Sequence, residues 1–307
     1  MEHDMDLLIG FTTILVVIAA GAALAHVGVL DRRSQRTLGE IAFFVASPAL
    51  MVVTISQVHL ESAAANLVAS SVSLAASFAA YVALARLRWR LSTGPLLIGG
   101  LSSAYVNAGN LGIAMAAYVV GDITVVVPAL LVQMMVVQPI ALIVLDRITG
   151  RGEGIAFALK RLFTNPLTLA AVVGVVLAVT GWRIPRVVED PLQLMAGAAI
   201  PLMLMSYGAA LRLSPPLGKA GHNGEVLLAS VLKLVVMPVI AWAVAVGLGI
   251  EGRALLGVVI TAALPTAQNI FLHATRYRVG EDVARETILI TTLASLPIAL
   301  LVAVVLG

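Results

Sequence analysis

Long apolar stretches alternate with short polar ones along almost the whole chain. A helix rises 1.5 Å per residue, so ~20 apolar residues cross the ~30 Å hydrocarbon core of a bilayer. Most stretches reach this length, and the pattern predicts an all-α integral membrane protein with ten spanning helices. Their approximate ranges are 7–30, 38–57, 64–85, 94–120, 123–145, 165–181, 191–211, 225–248, 254–275 and 284–306.

The fourth and ninth spans contain polar segments that interrupt the apolar pattern. In span 4 the segment is Asn107-Ala108-Gly109-Asn110, and in span 9 it is Leu264-Pro265-Thr266-Ala267-Gln268-Asn269. Proline removes an amide donor and displaces the preceding turn. Because a bilayer offers no water to freed backbone groups, such segments must line a cavity or pack against protein. We interpret both as broken helices at a binding site.

The two interruptions belong to an internal repeat with an offset of 159 residues. Six of 19 aligned positions are identical, and the pairs are Ala104, Ala108, Asn110, Tyr118, Val120 and Gly121 with Ala263, Ala267, Asn269, Tyr277, Val279 and Gly280. Polar breaks at corresponding places in two halves indicate a transporter's substrate site. The chain is thus predicted to be one transmembrane domain, 1–307, with repeats at about 7–145 and 165–306.

The distribution of Lys and Arg predicts the orientation. Of 19 basic residues, Arg183, Arg186 and Arg253 fall on one side of the predicted membrane, Lys233 lies inside span 8, and all others fall on the opposite side. Basic loops stay in the cytoplasm, so both termini are predicted to be outside. Five spans per repeat then invert the second repeat relative to the first. The longest predicted loop, about 146–164, is cytoplasmic.

Composition supports a multi-pass protein of the plasma membrane and excludes several other classes. Hydrophobic residues make up 60% of the chain and charged residues 11%, far from soluble proteins. The net charge of +3 comes from short basic loops, so it indicates topology and no nucleic-acid partner. The chain has no cysteine. It also has no HExxH motif or paired catalytic carboxylates, so no enzyme, cofactor or metal site is predicted.

Asn110 and Asn269 are the main candidates for substrate binding. Carboxamides donate and accept hydrogen bonds, and broken helices beside them expose N–H groups whose positive dipole ends favour an anion. Alternatively, these asparagines cap the broken backbone or join helices. The further candidates around the two breaks are Asn107, Gly109, Pro265, Thr266 and Gln268.

Lys233 and His273 are titratable candidates inside spans. A charge within the membrane is costly and by default suggests function, here a counter-charge for an anionic ligand or for the mobile site. Alternatively, the long Lys233 side chain snorkels to the interface. His273 follows Asn269 by four residues and shares its helix face, where it either contacts substrate or is simply packed.

Two further groups of residues have a structural and a functional interpretation. Pro48 and Pro201 are a possible repeat pair that shapes spans 2 and 7. A sodium site needs hard oxygen ligands, and broken backbone carbonyls could supply some of them. The side chains that could complete such a site, or serve as ordinary contacts between helices, are Ser102, Gln133, Gln138, Thr261 and Thr292.

The chain resembles the auxin efflux carrier family, within the wider bile-acid and auxin transporter superfamily. The resemblance covers nearly the whole chain. The residues that carry it are Tyr105-Val-Asn107-Ala-Gly109-Asn110-Leu-Gly112, Leu264-Pro265-Thr266-Ala-Gln268-Asn269, Ala274-Thr-Arg-Tyr277 and the stretch from Leu232-Lys233-Leu234 to Pro238.

The resemblance implies two inverted five-span repeats whose spans 4 and 9 cross where they unwind. It further implies a scaffold of spans 1, 2, 6 and 7, a transport unit of spans 3–5 and 8–10 that moves as an elevator, and a homodimer. The substrate would be an organic anion at the crossover asparagines. Plant members export indole-acetic acid, and bacterial relatives are assigned to malonate, malate or similar carboxylates. A sodium-coupled importer of the bile-acid type is the alternative.

One departure from the family pattern concerns span 4. Family members often carry proline at both breaks, but here Val106 stands where Pro265 stands in span 9. Gly109 is therefore expected to supply the flexibility for the first break.

Overall fold

The computed structural model describes residues 2–56, 60–150, 160, 163–213 and 221–307, without the side chains of 2–8, 60–63 and Asn110. Throughout these ranges the protein is α-helical, and its one extended contact is an isolated β-bridge. Much of the predicted 146–164 loop, with Arg151 and Arg161, lies outside the described residues, as does Lys219.

The helices are numbered here in chain order. They are α1 (Glu2–His26), α2 (Arg32–Ile55), α3 (Leu60–Trp89), α4 (Thr93–Ala104), α5 (108–120), α6 (Ile123–Thr149), α7 (Pro166–Thr180), α8 (Arg186–Leu213), α9 (Asn223–Gly247), α10 (Gly252–Ala263), α11 (Gln268–Tyr277) and α12 (Glu281–Leu306).

Seven of these helices are long and apolar enough to cross a membrane: α1, α2, α3, α6, α8, α9 and α12. The prediction of an all-helical integral membrane protein is confirmed at this level. Helix α7 is apolar but shorter. Predicted spans 4 and 9 each consist of two half-helices, α4 with α5 and α10 with α11. The half-helices α4 and α10 have the same length, 12 residues, and begin and end 159 residues apart.

Prolines shape three of the long helices without ending them. A π-helical turn precedes Pro48 in α2, Pro139 in α6 and Pro238 in α9. Proline lacks an amide hydrogen and its ring collides with the carbonyl of the residue four positions earlier, so the preceding turn widens. Gln133 and Lys233 lie in two of these widened turns. Pro201 lies within the continuous helix α8.

Polar N-caps fix the start of α2 and α7. The Asp31 carboxylate accepts a hydrogen bond from the Ser34 amide at 2.7 Å, and α2 therefore begins at Arg32, several residues before the predicted span. The Asn165 carboxamide oxygen accepts from the amide of Leu167 at 2.9 Å, with Pro166 in the first turn of α7. Both arrangements satisfy backbone donors that a helix leaves free at its start.

The helices pack in two groups. In the first, α1 lies along α8, and α2 packs against both α7 and α8. In the second, α3 packs against α4, α6 and α9, while α12 packs against α4, α9, α10 and α11. The half-helix α5 lies between the groups and contacts α1 as well as α10.

Glycines permit close approach of helix backbones in the first group. A Cβ atom at Gly208 of α8 would lie 1.9 Å from the carbonyl oxygen of Ile18, and one at Gly21 of α1 would lie 2.1 Å from that of Met205. Small residues at such contacts let membrane helices pack closely, which is their main source of association energy in lipid. The α1–α8 pair is therefore a tightly fitted unit.

Candidate functional site

The two broken spans cross at their breaks. Residues 105–107 separate α4 from α5, and residues 264–267 separate α10 from α11. Val106 and Thr266 form the antiparallel bridge. On either side of it the Asn107 amide donates to the Pro265 carbonyl at 2.8 Å, and the Ala267 amide donates to the Tyr105 carbonyl at 3.0 Å. Each break therefore satisfies part of the other's backbone.

Side chains satisfy the remaining amides at the bridge. The Val106 amide would donate to the Ser102 carbonyl in a continuous helix, but it donates to Gln133 Oε1 of α6 at 2.5 Å. Likewise, the Thr266 amide donates to Thr291 Oγ1 of α12 at 3.1 Å. Pro265 has no amide hydrogen to satisfy. Because orphaned buried amides are costly, these two polar side chains hold the breaks open.

Two of the carbonyls released by the breaks receive new side-chain donors. The Ser102 carbonyl accepts from the Thr266 hydroxyl at 2.5 Å. The Ala262 carbonyl, which has lost the Thr266 amide, accepts from Lys233 Nζ at 2.6 Å. Both donor side chains are fully buried. The C-terminal ends of α4 and α10 are therefore neutralised from within the protein.

Lys233 points into the protein and does not snorkel. Its side chain is 0% exposed, and besides Ala262 its ammonium contacts Met237 Sδ at 3.5 Å. The counter-charge interpretation therefore agrees with the position of Nζ, beside the C-terminal end of a half-helix, where a cation is stabilised by the helix dipole.

The first break lies earlier than the sequence predicted. Gly109 lies inside the π-helical turn Ala108–Gly112, so it does not supply the flexibility of the break. The chain leaves the helix at Val106 because Gln133 and Pro265 bind the amides of Val106 and Asn107. In the ninth span the interruption is where proline predicted it, and Gln268 already begins α11.

The N-terminal ends of α5 and α11 adjoin the crossing and carry no side-chain cap. Asn107 precedes α5 and Ala267 precedes α11, and neither side chain accepts from the following turn. The Asn107 side chain is 4% exposed, and its Nδ2 has no hydrogen-bond partner among the described residues. Backbone N–H groups and a carboxamide donor thus converge on the crossing.

The candidate asparagine and histidine of the second half lie on α11. Asn269 is half-buried, and its Nδ2 donates to Gln138 Oε1 of α6 at 3.4 Å. The neighbouring Gln268 is also half-buried. His273 is buried one turn further along the helix. The side chain of Asn110, the remaining main candidate, lies outside the described atoms.

A small cavity lies behind the first break. Its volume is about 10 Å³, close to the room that one water molecule needs. Gln133 and Thr261, two of the five candidate sodium ligands, line it, but Gln133 Oε1 is used by the Val106 amide. Met237 and Ala262, the two contacts of the Lys233 ammonium, line it too. The side-chain nitrogen of Lys233 therefore lies beside this cavity.

Sequence comparisons relate the chain to membrane transporters. A family model described as "Membrane transport protein" matches residues 8–303. A putative malonate transporter of Rhizobium meliloti (strain 1021) is 27% identical over 268 residues, which cover 84% of this chain and 82% of that protein. An uncharacterized transporter of Methanothermobacter thermautotrophicus is 26% identical over 290 residues, covering 92% and 93%.

A plant protein matches a shorter stretch. The probable auxin efflux carrier component 9 of Oryza sativa subsp. japonica is 27% identical over 154 residues, which cover 49% of this chain and 36% of the plant protein.

Proposed function

The chain belongs to the membrane transport protein family that includes the auxin efflux carriers, and from that premise we propose a secondary carrier for a small organic anion. The resemblance expected from the broken-span motifs is confirmed, as is the prediction of a transporter rather than an enzyme. The bile-acid alternative is not favoured, because the relatives are a malonate transporter and auxin efflux carriers.

The proposal rests on a difference between the half-helix ends at the crossing: within the described part of the chain, the C-terminal ends have side-chain partners, and the N-terminal ends do not. Lys233 and Thr266 neutralise the negative C-terminal ends of α10 and α4. Among the described residues, no side chain accepts from the positive N-terminal ends of α5 and α11, and Asn107 Nδ2 adds a further donor. A crossing with its negative ends occupied and its positive ends open favours a carboxylate. Asn110, Asn269, Gly109, Pro265, Thr266, Gln268, Lys233 and His273 complete or support this proposed site.

Ten spans in two inverted repeats form the proposed architecture. The seven long helices, the shorter α7 and the two broken spans would together supply ten crossings. The matching lengths and register of α4 and α10 support the repeat. Gly121 and Gly280, an identical pair in the repeat, both adopt positive φ, 77° and 61°. Positive φ is a conformation that favours glycine, so both positions demand the same residue.

The two packing groups support an elevator mechanism. The group of α1, α2, α7 and α8 corresponds to the proposed scaffold, and the remaining helices to the proposed transport unit. Gln133 of α6 and Thr291 of α12, two helices of the second group, hold the crossing through hydrogen bonds to its amides. Substrate bound there would move with the unit as a rigid body.

The buried ammonium supports transport driven by the membrane potential, without a coupling cation. Lys233 already supplies a positive charge at the crossing, in the place where a sodium ion would otherwise offset the substrate. We further propose a homodimer in the plasma membrane with both termini outside. The positive-inside distribution of Lys and Arg supports this orientation.

Binding and transport by purified protein test the proposal. Protein in liposomes should accumulate labelled malonate or indole-3-acetate, and either should raise the unfolding temperature. Asn107→Asp should weaken binding roughly 10-fold or more, because a carboxylate replaces the free donor. Asn165→Asp is the matched control, since aspartate caps α7 as well as asparagine does. A folded protein that neither binds nor transports any carboxylate would refute the proposal.

A further inference from the structure

One oxygen atom joins the two halves of the crossing. Oε1 of Gln138, on α6, accepts from the Tyr105 hydroxyl at 3.3 Å and from Asn269 Nδ2 at 3.4 Å. Tyr105 ends α4 at the first break, and Asn269 lies in the first turn of α11 beyond the second. Gln138 therefore contacts both broken spans from a third helix.

This contact determines which end of the Asn269 carboxamide is available. A carboxamide has a donor end and an acceptor end, and the donor end is turned toward Gln138. The other atom, Asn269 Oδ1, is buried and has no hydrogen-bond partner among the described residues. An oxygen in this state requires a donor, because an unpaired buried acceptor costs stability and a carboxylate oxygen placed against it would be repelled.

We propose that the substrate is a monoanionic carboxylate with a second group that donates a hydrogen bond to Asn269 Oδ1. The proposal rests on the function proposed above: the carboxylate binds at the donors of the crossing, and the second group binds at Asn269 Oδ1. Gln138 acts as a positioning residue, since it fixes the orientation of Asn269.

Two kinds of molecule share this chemistry. A half-protonated dicarboxylate such as hydrogen malonate offers an O–H, and an aromatic acid such as indole-3-acetate offers a ring N–H. A fully ionised dicarboxylate and a simple monocarboxylate offer none. A site built to bind a donor rejects analogues without it, because its own acceptor then remains unpaired.

Matched ligand pairs test the proposal on the unmodified protein. Indole-3-acetate is compared with its N-methyl derivative, and malonate with monomethyl malonate, by direct binding to detergent-solubilised protein. The member with the donor should bind roughly 10- to 100-fold more tightly. If the protein prefers the donor-bearing member in just one of the two pairs, that pair identifies whether the donor is a ring N–H or a carboxyl O–H. Malonate affinity should rise as pH falls toward the second pKa of malonate, because the half-protonated form becomes more abundant.

Variants of Gln138 separate its orienting role from a structural one. Gln138→Met removes the acceptor, so the Asn269 carboxamide can turn and the ratio of affinities within a pair should fall toward one. Gln138→Glu retains an acceptor oxygen, and the ratio should persist. Equal affinities within both pairs in the parent protein would overturn this inference while leaving the anion carrier intact. If no carboxylate binds at all, the proposed function fails with it.

Discussion

The ammonium of Lys233 lies 2.6 Å from the carbonyl oxygen of Ala262, in the last turn of the half-helix α10. In an unbroken helix this carbonyl would accept from the Thr266 amide, which here donates to Thr291. The lysine thus replaces a hydrogen bond that the break removes. It also leaves a positive charge within a few residues of the crossing.

Substitution of Lys233 is expected to reduce transport according to the charge that remains. Lys233→Gln removes the charge and should lower uptake strongly, whereas Lys233→Arg should retain part of it. Substrate uptake into liposomes is measured for both variants and normalised to the amount of folded protein, as determined by size-exclusion chromatography. Uptake at the parental rate in Lys233→Gln would show that the charge has no part in transport.

The same charge should determine the voltage dependence of substrate exchange. In exchange by the proposed elevator, only the loaded transport unit would move, and the charges of a monoanion and the ammonium would offset each other. In Lys233→Gln one negative charge crosses unbalanced, which is worth about 2.3 kcal/mol per 100 mV for a full crossing. Exchange should respond more strongly to an imposed potassium-diffusion potential in the variant. An identical response in both proteins would contradict movement of Lys233 with the substrate.

Thr266 should contribute to stability more than to affinity. Its hydroxyl is fully buried and donates to Ser102, so Thr266→Val leaves a carbonyl unpaired. The expected cost is about 1–3 kcal/mol of unfolding free energy. Thr266→Ser keeps the hydroxyl and is the matched control. Thermal unfolding and substrate titration of both variants distinguish the roles. A loss of affinity without loss of stability in Thr266→Val would place the hydroxyl on the substrate instead.

The sequence predicted the helices and the second break because their causes are local. Apolar length defines the spans, and Pro265 both lacks a donor and disrupts its helix. The first break has no such local cause. It begins at Val106, a residue without any breaking tendency, because Gln133 binds the Val106 amide from 27 positions further along the chain. The prediction that Gly109 supplies the flexibility of the first break is therefore wrong.

The directions of the Lys233 and Gln138 side chains also cannot be predicted from the sequence pattern. Depth in the membrane allows Lys233 to reach either the interface or the interior, and the choice depends on the Ala262 carbonyl of another helix. Gln138 appeared only as a possible sodium ligand, although it contacts residues from both breaks. Such contacts arise from tertiary packing, so periodicity and spacing carry no signal for them.

Close packing of α1 on α8 should make Gly208 intolerant of even one methyl group. Its Cβ would lie 1.9 Å from a backbone oxygen of α1, whereas one at Gly197, on the same helix, meets nothing within 4 Å. Gly208→Ala should therefore destabilise the protein by about 1–3 kcal/mol or more, through overpacking. Gly197→Ala is the matched control and should be neutral. Equal unfolding temperatures for the two variants would contradict a tightly fitted α1–α8 pair.

Movement of the transport unit past the scaffold should be visible as two populations of one distance. The chain has no native cysteine, so spin labels can be attached at exposed positions without background. Phe44 on α2 and Leu272 on α11 are 62% and 65% exposed and report the distance between the two groups. Leu84 on α3, 48% exposed, pairs with Leu272 within the proposed transport unit.

In lipid nanodiscs, pulsed electron–electron double resonance should give a bimodal distance distribution for the Phe44–Leu272 pair. The two populations should shift on addition of substrate. Two packings of one rigid unit against a fixed scaffold produce this result. The Leu84–Leu272 pair should give one narrow distance in every condition, because both labels move together. If the first distance stays constant under all conditions that support transport, the crossing is immobile and local gating replaces the elevator.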